Sequence, residues 1–182
     1  MISSLADAYV RAIAAIALGA RDAPSWAMNS HLTLSPGRSL VLAEIGEPSN
    51  NDLRLRVVEA MPQGNPERAL VGLATPIRPG DLSRGFELTW WRYVAYSVRN
   101  ESYFQPEAGE QLGHGFLGTR QDTAFLNYVR ATTLADDEHP GPLEHWFLYT
   151  DWHCIDVVSD TAPEVRELSP EEVRAIVQAM NR

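Results

Sequence analysis

The run from His145 to Val158, HWFLYTDWHCIDVV, constrains the fold more than any other part of the chain. Two apolar segments rich in aromatic and β-branched side chains are separated by a short break at Asp151 and Trp152. Such segments bury themselves most simply by pairing through a tight turn, as an antiparallel hairpin. With Asp151 and Trp152 as the turn, Thr150 opposes His153, Tyr149 opposes Cys154 and His145 opposes Val158. A straight chain would instead place His145 and His153 ~26 Å apart, at ~3.3 Å per residue. Under either geometry the two histidines do not share a ligand. Cys154 points to the opposite side of the strand from His153, so it is not a nucleophile that His153 activates. Asp151 and His153 remain as a local pair. An Asp–His pair can orient an imidazole for acid–base work or supply part of a metal site, with further ligands coming from elsewhere. The apolar residues around it favour a buried hairpin with a polar tip.

The other segments predict an α+β chain with a mainly antiparallel sheet, as one domain over residues 1–182. Leu53, Arg54, Leu55, Arg56 and Val57 alternate with period 2, the mark of a strand with one wet face. Phe86 to Val98 carries large side chains on both alternating faces and reads as a central strand, or a bent one crossing between sheets. A helix is expected at the N-terminus, where Ile2, Leu5, Tyr9, Ile13 and Ile16 recur at helical spacing. Asp7 and Arg11 interrupt that segment and argue against a secretory signal. A middle helix is expected over about residues 122–134, capped by Asp122, with Phe125, Tyr128, Val129 and Thr132 facing inward. A C-terminal helix is expected over about 170–181. There Ser169 and Glu172 form a capping box, Pro170 opens the helix, and Val173, Ile176, Val177 and Met180 are its buried face.

Charge narrows the functional classes. The chain has 24 acidic and 15 basic residues, a net charge of −9, and the basic residues are scattered. That balance repels phosphate backbones and argues against nucleic-acid binding, while it would suit a basic protein partner. A single cysteine excludes an internal disulfide and fits a reducing, cytoplasmic setting. No stretch approaches the ~20 apolar residues of a membrane span. No metal or cofactor is expected.

Gly113, Gly115 and Gly118 spell GxGxxG, but the residues before them are loop-like and the next helix starts too late to meet a pyrophosphate. His114 within this turn is a candidate functional histidine. Arg99, Asn100, Glu101 and Ser102 place four hydrogen-bonding side chains at a strand end, where sites are often built. Glu101 is a candidate general base and Arg99 an anion anchor. Against this, the Asn and Ser of such a terminus commonly satisfy turn amides. Asn100-Glu101-Ser102 is also an N-glycosylation sequon, relevant to a secreted protein.

Tyr96, Val98, Asn100, Glu101 and Ser102, together with His145, Ile155, Asp156, Val157, Val158, Ser159, Pro163 and Glu164, form two phrases. In these the C-terminal half resembles a group of bacterial proteins that carry a YxVxNES strand and an IDVVS hairpin. The resemblance brings no assigned activity; small acidic proteins of this kind include immunity and interaction partners. Two functions follow as expectations. The first is a non-catalytic binding protein with an acidic surface for a basic partner, using Arg99, Asn100, Glu101, Ser102, His114 and Trp152. The second is a small hydrolase or metal-assisted enzyme built on Glu101, Asp151 and His153, with His114 in the same cleft.

Overall fold

The alternation at Leu53–Val57 survives in three dimensions: Leu53, Leu55 and Val57 are buried, while Arg54 and Arg56 lie on the other face of their strand. The computed structural model describes residues 32–34, 38–69, 72–105 and 116–181. The expected N-terminal helix and His114 lie outside the described residues. The first strands are β1 (Leu32–Thr33), β2 (Ser39–Gly46) and β3 (Leu53–Pro62), then β4 (Glu67–Ala69), β5 (Gly72–Ala74) and β6 (Ile77–Arg78). β7 (Gly85–Trp90), β8 (Ala95–Asn100) and β9 (Phe116–Arg120) lead to helix α1 (Ala124–Thr132). β10 (Glu144–Tyr149), β11 (His153–Ser159) and β12 (Glu164–Glu167) precede helix α2 (Pro170–Met180).

These elements make an α+β fold of mostly antiparallel sheet with two helices. The first sheet has the order β1-β9-β10-β11-β8 and the second the order β12-β7-β3-β2. β6 extends the end of β3, and β4 with β5 forms a separate hairpin. The two main sheets pack face to face: Leu117, Trp146, Leu148, Ile155 and Val157 of the first meet Leu53, Leu55, Phe86, Leu88 and Trp90 of the second. Each sheet then carries a helix on its outer face. Leu126 and Val129 of α1 pack on Val158, and Val173 and Val177 of α2 pack on Val58. Among the described residues no helix is long and apolar enough to cross a membrane.

The aromatic run Phe86–Val98 is two strands in two sheets rather than one. β7 belongs to the second sheet and β8 to the first, and the chain crosses between them at residues 91–94. Trp90 is buried between the sheets, whereas Trp91 is exposed and donates its indole N–H to Glu164 (3.0 Å). A second crossing, residues 160–163, runs alongside from β11 to β12. Arg92 pairs with Asp160 (3.2 Å), and Ser159 Oγ donates to the Arg92 carbonyl (2.8 Å), so the two crossings are bound to each other.

The helices sharpen the sequence reading. α2 has the expected capping box, with Ser169 and Glu172 bonded reciprocally and Pro170 in the first turn. α1 is shorter than expected, and its cap is Thr123 rather than Asp122: Thr123 Oγ1 accepts the Leu126 N–H (3.1 Å). Asp122 adopts φ 56°, the left-handed conformation of a turn residue, which removes it from the capping position. Thr133 closes the other end through its N–H and hydroxyl, both bonded to the Val129 carbonyl. The inward face is Leu126 and Val129 with Phe125 beside it; Tyr128 is exposed, because one residue of helix turns a side chain ~100°.

Candidate functional site: a buried polar chain beside an arginine-lined pocket

The β10–β11 hairpin has the register that its turn dictates: Tyr149 opposes Cys154 and His145 opposes Val158. Thr150 closes the turn, donating its N–H to the His153 carbonyl (2.8 Å) and accepting the His153 N–H on Oγ1 (3.1 Å). Strand parity then sends Trp146, Leu148, Ile155 and Val157 into the space between the sheets. The other set, His145, Phe147, Tyr149, Cys154 and Asp156, faces outward, beneath α1 and the 3-10 turn Glu101–Tyr103.

On that outer face the imidazole of His145 and the carboxylate of Asp156 are almost wholly buried, at 2% and 1% exposure. His145 Nε2 lies 3.0 Å from Asp156 Oδ1, and its Nδ1 lies 2.7 Å from Thr123 Oγ1. Arg99 donates to the second carboxylate oxygen, Oδ2 (2.8 Å). Thr123 Oγ1 accepts the Leu126 N–H and shares a second hydrogen bond with His145 Nδ1, while His145 Nε2 shares one with Asp156. A continuous chain therefore runs from the Arg99 guanidinium through Asp156, His145 and Thr123 into the first turn of α1. Buried polar groups are tolerated when they are paired in this way.

Beside this chain lies a pocket of about 250 Å³. Arg99, Arg120, His145 and Asp156 give it polar walls, and Phe104 and Phe125 give it apolar ones. Both guanidiniums lie over aromatic rings: Arg99 Cζ sits 4.7 Å from the Phe104 centroid and Arg120 Cζ sits 3.3 Å from that of Phe147. Phe104 stacks on Phe147 (6.2 Å) and contacts Tyr149 (6.3 Å), closing the layer over Cys154. Burial pushes the Cys154 thiol up to about 11, which makes it a packed hydrophobe rather than a nucleophile. Burial, followed by its hydrogen bond to Glu101 Oε1 (2.7 Å), also raises the Tyr149 phenol well above the ordinary range.

The residues singled out from sequence converge in part. Arg99 lines the pocket and holds Asp156. Glu101 lies next to it, in the 3-10 turn, bonded to Tyr149. Asn100 caps that turn, accepting the Ser102 N–H on its side chain (2.9 Å), and Ser102 is exposed. His153 opposes Asn100 across the β11–β8 ladder, and the Trp152 carbonyl accepts the Glu101 N–H (3.0 Å). Six of the chosen residues, Arg99, Asn100, Glu101, Ser102, Trp152 and His153, thus meet at one end of the first sheet. Asp151 sits in the turn and donates its N–H to the Leu40 carbonyl (2.8 Å); His153 Nδ1 is buried with no hydrogen-bond partner, so that nitrogen is not oriented by Asp151. Gly118 lies inside β9, so the glycine motif does not open a helix.

Asp156, His145, Thr123 and Arg120 are the functional candidates that residue-by-residue inspection missed. His145 and Asp156 are diagonal neighbours once the hairpin register is known, and that signal was present in the sequence. Among the described residues no group of three or more His, Cys, Asp or Glu side chains is placed to hold a metal ion.

No family model, curated protein or solved structure matches the chain. Its function is therefore argued from the geometry of this site.

Proposed function

We propose that the protein is a non-catalytic, cytoplasmic binding protein, and that the outer-face pocket between α1 and the 3-10 turn is its ligand seat. The observation that carries this reading is that both ring nitrogens of His145 are engaged inside the protein, by Asp156 and by Thr123. The Asp–His–Thr order resembles a nucleophilic triad. Yet Thr123 is buried, caps α1 and does not line the pocket, so its hydroxyl has structural work and no access to a bound molecule. The pocket keeps the features of a binding site: concave, partly apolar, with a few convergent polar groups. A lone buried thiol fits the reducing compartment.

The test is a small-molecule library screened by thermal shift, with each hit followed by one-dimensional NMR over many hours. The expected result is at least one stabilising ligand that stays chemically intact. A ligand that the wild-type protein consumes and the Thr123→Val variant leaves untouched would establish catalysis instead.

A second reading concerns a basic protein partner. The net charge of −9 and the exposed Trp152 and Tyr103, which flank the same end of the first sheet, favour it. Mixing with a basic protein of known mass tests it: a complex that dissolves in moderate salt and is lost in Trp152→Ser supports it, and none at low salt rejects it.

A further inference from the structure

We propose that β8 is an interface strand, which pairs antiparallel with β8 of a second copy of this chain and joins two five-stranded sheets into one.

A strand at the edge of a sheet presents unpaired N–H and C=O groups, and proteins blunt such edges by shortness, charge or a bulge. Three of the four edges of the two main sheets carry such a device. β1 spans two residues among those described, β12 has Glu164, Arg166 and Glu167 among its four, and β2 is bulged between Leu42 and Glu44. β8 carries none of them. It runs six residues in unbroken register with β11 and holds no proline or lysine. Its one charge, Arg99, is tied to Asp156.

The ladder decides which backbone groups face outward. Glu101, opposite Trp152, donates its N–H to the Trp152 carbonyl, so alternation turns the groups of Ala95, Ser97 and Arg99 toward β11. Those of Tyr96 and Val98 point away from the sheet, where among the described residues no further strand lies. Their side chains lie on the inner face, opposite Val157 and Ile155, and both are exposed, Tyr96 by 38% and Val98 by 39%. This edge offers hydrogen bonds and apolar surface together, the combination that strand addition uses.

The strand is also complementary to itself. Opposed residues of an antiparallel pair share a face, and the open groups of one copy must meet those of the other. Centring the pair on Ser97 satisfies both conditions for both open residues. Tyr96 then opposes the partner's Val98, and Val98 the partner's Tyr96, each pair exchanging its backbone hydrogen bonds and matching an aromatic with a β-branched side chain. Arg99 faces the partner's Ala95, whereas a centre two residues further on would set it against the partner's Arg99. The axis of such a pair stands normal to the sheet, so both pockets open on the same side. Ser97 and Arg99 form the pocket's wall on the last strand, and the partner's strand extends that wall.

The test is the mass of the full chain by sedimentation over a range of concentration and salt. A single strand pair is a small interface, so mass should climb from one chain to two between about 10 and 500 µM. Chains of net charge −9 repel, so raising NaCl from about 0.05 to about 0.5 M should tighten the pair severalfold. A complex with a basic protein would respond in the opposite sense. Val98→Pro removes an outward N–H and no bond to β11, and should weaken the pair at least about tenfold. Val98→Lys, which charges the same edge, should do likewise, with melting curves confirming that both variants fold. Ser97→Cys reports the register, because the same residue of the second copy lies directly opposite, with ~4.5 Å between Cα atoms, within reach of a disulfide. Oxidation with diamide should give a covalent dimer that a thiol reverses, and Tyr128→Cys on α1 should give none. A single chain at every concentration and salt overturns the proposal. So does a dimer that survives both Val98 variants, or one in which Ser97→Cys fails to cross-link.

Discussion

Replacing Thr123 with valine probes the buried chain with the least change in shape. The hydroxyl does two things at once: it accepts the Leu126 N–H as the cap of α1 and is hydrogen-bonded to His145 Nδ1. Loss of a threonine cap costs about 1 kcal/mol. A buried imidazole nitrogen left without a partner adds about 1–3 kcal/mol. The two together predict a destabilisation of about 2–4 kcal/mol. At roughly 2–4 °C per kcal/mol for a chain of this size, the melting temperature should fall by about 4–16 °C. Urea unfolding followed by circular dichroism checks it: the midpoint should drop while the slope stays constant, because the buried surface is unchanged. Thr123→Ser keeps both hydrogen bonds and should recover most of the loss. Thr132 supplies the control. Its hydroxyl donates to the Tyr128 carbonyl on the exposed side of the same helix, so Thr132→Val should change stability by less than about 0.5 kcal/mol. A Thr123→Val effect as small as that control would refute the claim that the chain couples α1 to the sheet.

Three further outcomes follow from the packing and the charges. Gly85 of β7 lies so close to α2 that a Cβ there would stand 2.9 Å from Val173 Cγ2 and 3.0 Å from Leu168 Cδ1. Gly85→Ala should cost about 1–3 kcal/mol in denaturant midpoint analysis, whereas Gly46→Ala, which meets nothing, should be near neutral. On the outer face of the second sheet, Arg166 hydrogen bonds first, then the Ser169 backbone, hold Glu172 at about 2. Burial alone would raise Glu87, but hydrogen bonds from Arg56 and Arg166 hold it below the ordinary carboxylate range. Depressed folded-state values mean stability that is present above the unfolded value of about 4.3 and lost as pH falls through the folded ones. Melting temperature should therefore decline between about pH 4.5 and 2. Arg166→Gln should flatten that decline, and an unaltered slope would contradict the assignment. Finally, Cys154 should resist an aromatic disulfide reagent at pH 8 until the protein is unfolded; immediate stoichiometric labelling of the native protein would count against its burial.

Local chemistry was the legible part of the sequence. Asp151 and Trp152 fixed the hairpin register residue by residue, since a turn admits one pairing and parity follows from it. Ser169, Pro170 and Glu172 announced α2 because a capping box is completed within one turn. The break at residues 91–94 was less visible, because large side chains continue through it and periodicity cannot show which sheet a strand joins. Comparing His145 with His153 alone discarded the wrong histidine: its partner is Asp156, on the facing strand two positions from the residue it opposes. Arg99 and Arg120 reach the pocket from β8 and β9, on opposite sides of that hairpin. No spacing along the chain encodes that meeting, which depends on the order of strands in the sheet.

The two crossings at residues 91–94 and 160–163 have a mechanical consequence. Each joins one sheet to the other, and the Arg92–Asp160 and Ser159–Arg92 contacts bind them side by side. They act as the spine of a book whose covers are the two sheets. Sliding one cover over the other would require both short connections to lengthen together, so shear is resisted by the covalent chain itself. Parting the sheets away from this spine must also break the Asp151 N–H bond to the Leu40 carbonyl, which clasps the hairpin turn of the first sheet to β2 of the second.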